Sequence, residues 1–197
     1  MSKFLYSVLI VLFLIGCEKK PFYVANIGNG GSLGGPYGLG PISVSDVLGG
    51  GGGFGYGAVN GYPGKSADIG RMGVPKHIEG YWAKKYLEGG FEAYYRISAD
   101  IDSELAEQKI RTLQNYYNQF KAIQGKGRMQ VVVEQERIQV IYTQGCYAYR
   151  MDCSKKEGAD PNGWVVRSPS DTTEVVVLFD GKGEVSAMPF PDSPYDK

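Results

Sequence analysis

The sequence predicts an α+β fold: a mainly antiparallel sheet with one long amphipathic helix, preceded by a glycine-rich segment. Three observations carry that prediction. A single apolar stripe of helical spacing, formed by Ala106, Ile110, Leu113, Tyr117 and Phe120, stands in the middle of the chain. Short β-rich runs flank it, several of them joined by turn residues. Between residues 28 and 73 lie 18 of the 29 glycines, and the large entropy that glycine loses on ordering argues against an independent core there.

The elements follow in order. Within the glycine-rich block, residues 42–47 read as a short strand, and Tyr37, Phe54, Tyr56 and Tyr62 are interleaved with the glycines. The block fits either a flexible spacer or a surface that orders against the domain or a partner. Residues 91–97 alternate as a strand. Asp100, Asp102 and Ser103 then supply N-cap chemistry for a helix over 103–123, which Gly125 and Gly127 end. Runs 128–134 and 137–142 suggest a hairpin, although Gln135-Glu136 is poor chemistry for a two-residue turn. Residues 164–166 and 174–179 read as further strands, and Asp180-Gly181-Lys182-Gly183 turns the chain into 184–188. The proline-rich end, 189–197, reads as an extended, frayed tail.

The first residues read as an address. Lys3 precedes an apolar run from Phe4 to Ile15, too short for the roughly 20 residues that span a bilayer, and a small-residue end completes a secretory signal. Leu14-Ile15-Gly16-Cys17 resembles the bacterial lipobox, which implies cleavage before Cys17 and acylation of that residue. A multiply acylated Cys17 would hold the chain firmly, since each buried CH₂ contributes about 0.8 kcal/mol. Glu18 stands where an inner-membrane retention signal carries Asp, so the expected location is the outer membrane, facing the periplasm. The expected division is 1–16, signal peptide; 17–73, lipidated N-terminus and glycine-rich segment; 74–188, α+β domain; 189–197, tail. In an oxidising compartment Cys146 and Cys153, seven positions apart, suit a local disulfide. They suit a zinc site less, because His77 is the sole imidazole and no further pair of thiols is present.

Charge and motifs exclude more than they assign. Lys+Arg and Asp+Glu both total 21, leaving no nucleic-acid footprint and no polybasic membrane patch. Gly30-Gly31-Ser32-Leu33-Gly34 matches a nucleophile elbow, with Asp46 or Asp68 and then His77 in hydrolase order, but no strand-turn-helix context surrounds it. Gly125-Lys126-Gly127-Arg128 lacks phosphate-loop spacing. Asp100, Asp102 and Glu104 lack the glycine and the distal Glu of a calcium loop. Glu134 and Glu136 sit at an expected hairpin tip, where carboxylates are solvated. His77 has no nucleophile placed beside it by any recognisable motif. No catalytic residue, metal site or cofactor is expected beyond the lipid on Cys17.

The glycine-rich block, Gly73-Val74-Pro75-Lys76, Trp82, the β-rich run, the helix and the strand-rich end together resemble uncharacterised proteobacterial lipoproteins of a domain-of-unknown-function type. The likeness spans about residues 40–145. Some relatives resemble immunity lipoproteins encoded beside antibacterial type VI secretion effectors, which implies a non-catalytic, envelope-tethered binder of a secreted effector. A structural or assembly lipoprotein of the outer membrane is the alternative. A binder needs exposed aromatic anchors. The candidates are Trp82 and Tyr86, with Tyr147, Tyr149 and Arg150 in the loop that a Cys146–Cys153 bridge would pre-organise.

Overall fold

The computed structural model describes residues 25–32, 34–54, 71–86, 88–118, 127–146, 148–149, 151–168 and 173–196. Their order is β1 (Ala25–Ser32), β2 (Tyr37–Asp46), β3 (Gly51–Phe54), β4 (Arg71–Met72), β5 (Pro75–Lys85), β6 (Phe91–Asp100), α1 (Ser103–Gln114), β7 (Gly127–Glu134), β8 (Arg137–Thr143), β9 (Val165–Arg167), β10 (Glu174–Lys182) and β11 (Glu184–Ser186). The first sheet has six strands in the order β4-β1-β7-β8-β10-β9, and the second has five in the order β11-β6-β5-β2-β3. Every pairing is antiparallel except β1 with β7.

The two sheets enclose one apolar core. Ile27, Met129, Val131, Ile138, Val140 and Val176 enter it from the first sheet, and Ile42, Val44, Ile78, Trp82, Tyr95 and Ile97 from the second. Strand alternation selects these residues, since successive side chains face opposite ways. Helix α1 adds Ala106, Ile110 and Leu113 from one face. Its position is fixed by Ser103 Oγ donating to the Pro75 carbonyl (2.9 Å) and Lys109 Nζ donating to the Val177 carbonyl (2.7 Å). Burial of the Lys109 stem pushes its ammonium below the ordinary lysine pKa.

Two expectations are corrected. The long amphipathic helix over 103–123 is a twelve-residue helix, the only one among the described residues. It starts as expected, with the Asp102 carboxylate accepting from Leu105 N (3.0 Å). It ends at Asn115, whose side chain donates to the Arg111 carbonyl (2.9 Å). Tyr117 keeps the helical spacing yet is buried by another route: it forms an antiparallel bridge with Lys155, and its hydroxyl donates to Glu174 (2.6 Å). Phe120 and the expected helix stop lie outside the described residues. The architecture is therefore a two-sheet, mostly antiparallel sandwich with one short helix, in place of a single sheet with a long one. The second correction concerns Asp180–Gly183. These residues do not form the expected turn: Asp180–Lys182 continue β10, and after Gly183 the chain enters β11 of the other sheet. Gly183 is the crossing point, donating its N–H to the Glu136 carbonyl (2.7 Å).

Much of the glycine-rich block is built into both sheets as β1 to β4, so the boundary drawn at 73/74 runs through the sandwich. Asp46 shows how tightly this part is tied. It is buried, and its carboxylate accepts from the backbone N–H groups of Leu48, Gly50 and Gly73 at 2.6–2.8 Å. The end of the chain is also packed. Residues 189–196 lie across the outer face of the second sheet, with Tyr195 donating to the Gly38 carbonyl (2.8 Å).

Burial, first among the causes in each case, raises the phenol pKa of Tyr95, Tyr116, Tyr117, Tyr142 and Tyr195 above the ordinary value near 10. A raised folded-state pKa contributes stability that is complete below the unfolded value and is lost as pH climbs toward the folded one. Alkaline titration followed at 295 nm should therefore show a phase above the ordinary phenol range, from these five buried tyrosines. That phase should coincide with loss of the far-UV circular dichroism signal. A single transition near pH 10 with the fold intact would refute the burial argument.

Candidate functional site

The turn between β5 and β6 forms one side of an open cleft. Tyr86 N donates to the Gly90 carbonyl (3.2 Å), and Gly89 and Gly90 adopt φ of 104° and 78°, which side chains rarely tolerate. Facing this turn is the 34–36 stretch between β1 and β2, tied by Lys85 N donating to the Pro36 carbonyl (2.9 Å). Between them is an open cleft of about 640 Å³. Gly34, Gly35 and Pro36 form one wall, and Lys84, Lys85, Tyr86, Glu88 and Glu92 form the other. Lys84 and Glu92 pair at 3.2 Å, so the cleft is close to charge balance. The Tyr86 side chain stands at its edge, 52% exposed.

The second aromatic surface is the loop closed by Cys146 and Cys153. The disulfide expected from the sequence is present, with Cα atoms 5.9 Å apart. In the chain-entropy model a loop of this length gains roughly 2.5 kcal/mol from the cross-link. The segment after Cys153 is held against the end of α1: Asn118 N donates to the Ser154 carbonyl (3.1 Å), and Lys156 N donates to the Tyr116 carbonyl (2.8 Å). Tyr149 is presented from this loop at 75% exposure. Tyr147 and Arg150, the other candidates there, lie outside the described residues, as does Cys17.

Trp82 is elsewhere. It is fully buried between the sheets, stacks on Tyr95 (centroids 5.4 Å apart), and donates Nε1–H to the Gln135 carbonyl (2.7 Å). It presents nothing to a partner. An aromatic in a strand can face either way, and the sequence does not say which face of β5 is inward.

A constellation that the sequence did not reveal lies on the outer face of the second sheet. The β5–β6 register sets His77 opposite Asp100 and Glu79 opposite Ser98. His77 Nδ1 is 2.8 Å from Asp100 Oδ1, and Ser98 Oγ is 3.3 Å from His77 Nε2. The order is that of a hydrolytic triad, but its surroundings oppose the chemistry. Asp100 is 94% exposed, so water screens the charge that would stabilise an imidazolium. The Glu79 carboxylate, opposite Ser98 in the register, accepts instead from Ser43 Oγ on β2 (3.2 Å). The array sits on an open strand face, and none of its residues lines the cleft described above. We read it as cross-strand pairing on a solvated surface.

The elbow-like Ser32 is likewise structural. It lies in β1, buried, with Oγ donating to the Gly35 carbonyl (2.6 Å). Among the described residues, no group of three His, Cys, Asp or Glu is arranged to hold a metal ion. Comparison of the chain with protein-family models, curated proteins and solved structures gives no match.

Proposed function

We propose that this chain is an envelope lipoprotein, anchored through acylated Cys17, whose folded part is a non-catalytic protein-binding module. One observation carries the reading: two aromatic side chains, Tyr86 and Tyr149, are held out to solvent on loops fixed by a glycine turn and by a disulfide. Fixed aromatic anchors lose little conformational freedom on binding, which is what an interface hot spot requires. The near balance of charge in the cleft favours a protein surface over a nucleic acid or a polyphosphate. The resemblance to immunity lipoproteins supplies the kind of partner: a secreted antibacterial effector that reaches the periplasm.

The test uses the full-length, membrane-extracted chain together with the products of its neighbouring genes. A secreted toxin that co-purifies and loses activity on binding is the expected result. Tyr86→Ala or Tyr149→Ala should each weaken that complex by about tenfold or more, the range for truncating an aromatic hot spot. A toxin retained equally by both variants would overturn the assignment of the two loops. Retention of envelope-assembly components alone would replace the effector reading with the structural one.

A further inference from the structure

The turn between β2 and β3 departs from ordinary turn chemistry. Gly49 N donates to the Asp46 carbonyl (3.4 Å) to close it. Its two central positions, where Gly, Pro, Asn, Asp or Ser is usual, hold Val47 and Leu48. Both side chains are aliphatic and exposed, at 49% and 39%. The turn is also stiff. The Asp46 carboxylate that accepts from Leu48, Gly50 and Gly73 holds it from inside, and Val47 N donates to the Val74 carbonyl (3.0 Å). Two adjacent apolar side chains are thus kept in water at a fixed place, so little freedom is lost when a surface covers them.

Their place in the fold says which surface that is. Ala25 lies opposite Met72 in the β1–β4 pairing, and the antiparallel direction carries Gly73 and Val74 past the start of β1. The turn is tied to those two residues, with Leu48 so close that a Cβ on Gly73 would meet Leu48 Cδ1 at 2.9 Å. Val47 and Leu48 therefore stand on the side from which the chain arrives from Cys17. Ala25 is eight positions after Cys17, and an extended stretch of that length reaches at most about 29 Å. Lys19 and Lys20 fall within it. Arg71 and Lys76, which bracket Gly73 and Val74 in the chain, are exposed and form no ion pair among the described residues. The carboxylates nearby are engaged: Asp46 with three backbone amides, Asp102 with the start of α1, and Asp100 with His77.

We propose that the Val47–Leu48 turn is a second membrane contact. The two side chains enter the headgroup region of the phospholipid bilayer that holds the Cys17 lipid, with Arg71 and Lys76 among the lipid phosphates. The nearness of that bilayer rests on the Cys17 anchor proposed above, and neither aromatic loop is used. The contact also orients the module. β1 runs from Ala25 to Ser32, about 23 Å, and the cleft between residues 34–36 and Tyr86 lies at its far end, away from the bilayer.

The experiment uses the full-length chain reconstituted in vesicles of phosphatidylethanolamine and phosphatidylglycerol, with and without bromine on the acyl chains. Leu48→Trp places a reporter in the turn, Val47→Trp repeats it one position away, and Tyr86→Trp marks the opposite end. Bromine should reduce the emission added by Leu48→Trp or Val47→Trp about twofold or more, the depth expected of an interfacial side chain, and leave that of Tyr86→Trp unchanged. The mass of the Cys17 peptide is read on the same preparation. Acylation without quenching at either turn position overturns the proposed contact and leaves the anchor standing. Quenching without acylation does the reverse. Equal quenching of Tyr86→Trp also overturns the contact, because the module then has no preferred end against the bilayer.

Discussion

Replacing Trp82 with alanine is expected to lower stability by about 3–5 kcal/mol, the usual range for removing a large buried aromatic. That is a large share of the roughly 5–15 kcal/mol that holds a domain folded. The reason is position as well as size. Trp82 comes from β5 of the second sheet, and its Nε1–H reaches the Gln135 carbonyl in the β7–β8 turn of the first (2.7 Å). From β2 of the second sheet, the Tyr37 hydroxyl accepts from Gln135 N at 2.7 Å. Two aromatic side chains thus grip both polar groups of one residue whose φ, 51°, is itself unfavourable without that support. Trp82→Phe should retain much of the packing but strand the carbonyl, at a cost of about 1–3 kcal/mol. Urea unfolding followed by far-UV circular dichroism measures both. A residue that served a partner would lose binding at unchanged stability, so an unaltered midpoint for Trp82→Ala would contradict the core assignment.

Trp82 also shows where the sequence stops being legible. Local chemistry reads well. Asp102 caps α1 because capping needs only a side chain and an amide three residues on, and the disulfide is the pairing expected of two thiols seven positions apart. The end of α1 does not read, because Tyr117 continues the helical spacing while its burial comes from Lys155 and Glu174, 38 and 57 residues away. The glycine-rich strands do not read either, since a glycine has no side chain to show a period. Their role is to leave room for something distant: a Cβ on Gly52 would meet Ile27 Cγ2 at 2.3 Å, and one on Gly127 would meet the Tyr142 ring at 2.0 Å. The site divides in the same way. The loop that carries Tyr149 follows from the expected cross-link, whereas the His77, Ser98 and Asp100 array exists only through the register of β5 on β6.

Gly80→Ala should be strongly destabilising. Gly80 has φ of 148°, and a Cβ there would stand 2.4 Å from the Pro41 carbonyl oxygen and 2.6 Å from Ile42 Cα. Neither obstacle is a flexible side chain; both are backbone of β2. The approach is that close because β2 bulges, its register on β5 shifting between Leu39 and Ile42. The bulge decides which residues enter the core: Tyr37 and Leu39 point inward before it, and Ile42 and Val44 point inward after it. Without it the strand would alternate uninterrupted, and one of those pairs would face outward. Overpacking costs about 1–3 kcal/mol, and a side chain forced into a sparse backbone region costs of order 1–3 kcal/mol. Two controls separate these effects. Gly145 has open space around it and no positive φ, so Gly145→Ala should be close to neutral. Gly163 has open space but φ of 66°, so Gly163→Ala should show the conformational penalty alone, roughly 1–2 kcal/mol. The thermal midpoints should therefore fall in the order Gly145→Ala, Gly163→Ala, Gly80→Ala, with the last unfolded or far below the others. If Gly80→Ala melted with Gly163→Ala, the clash would be relieved without cost, and the bulge would not be what sets the inward face of β2.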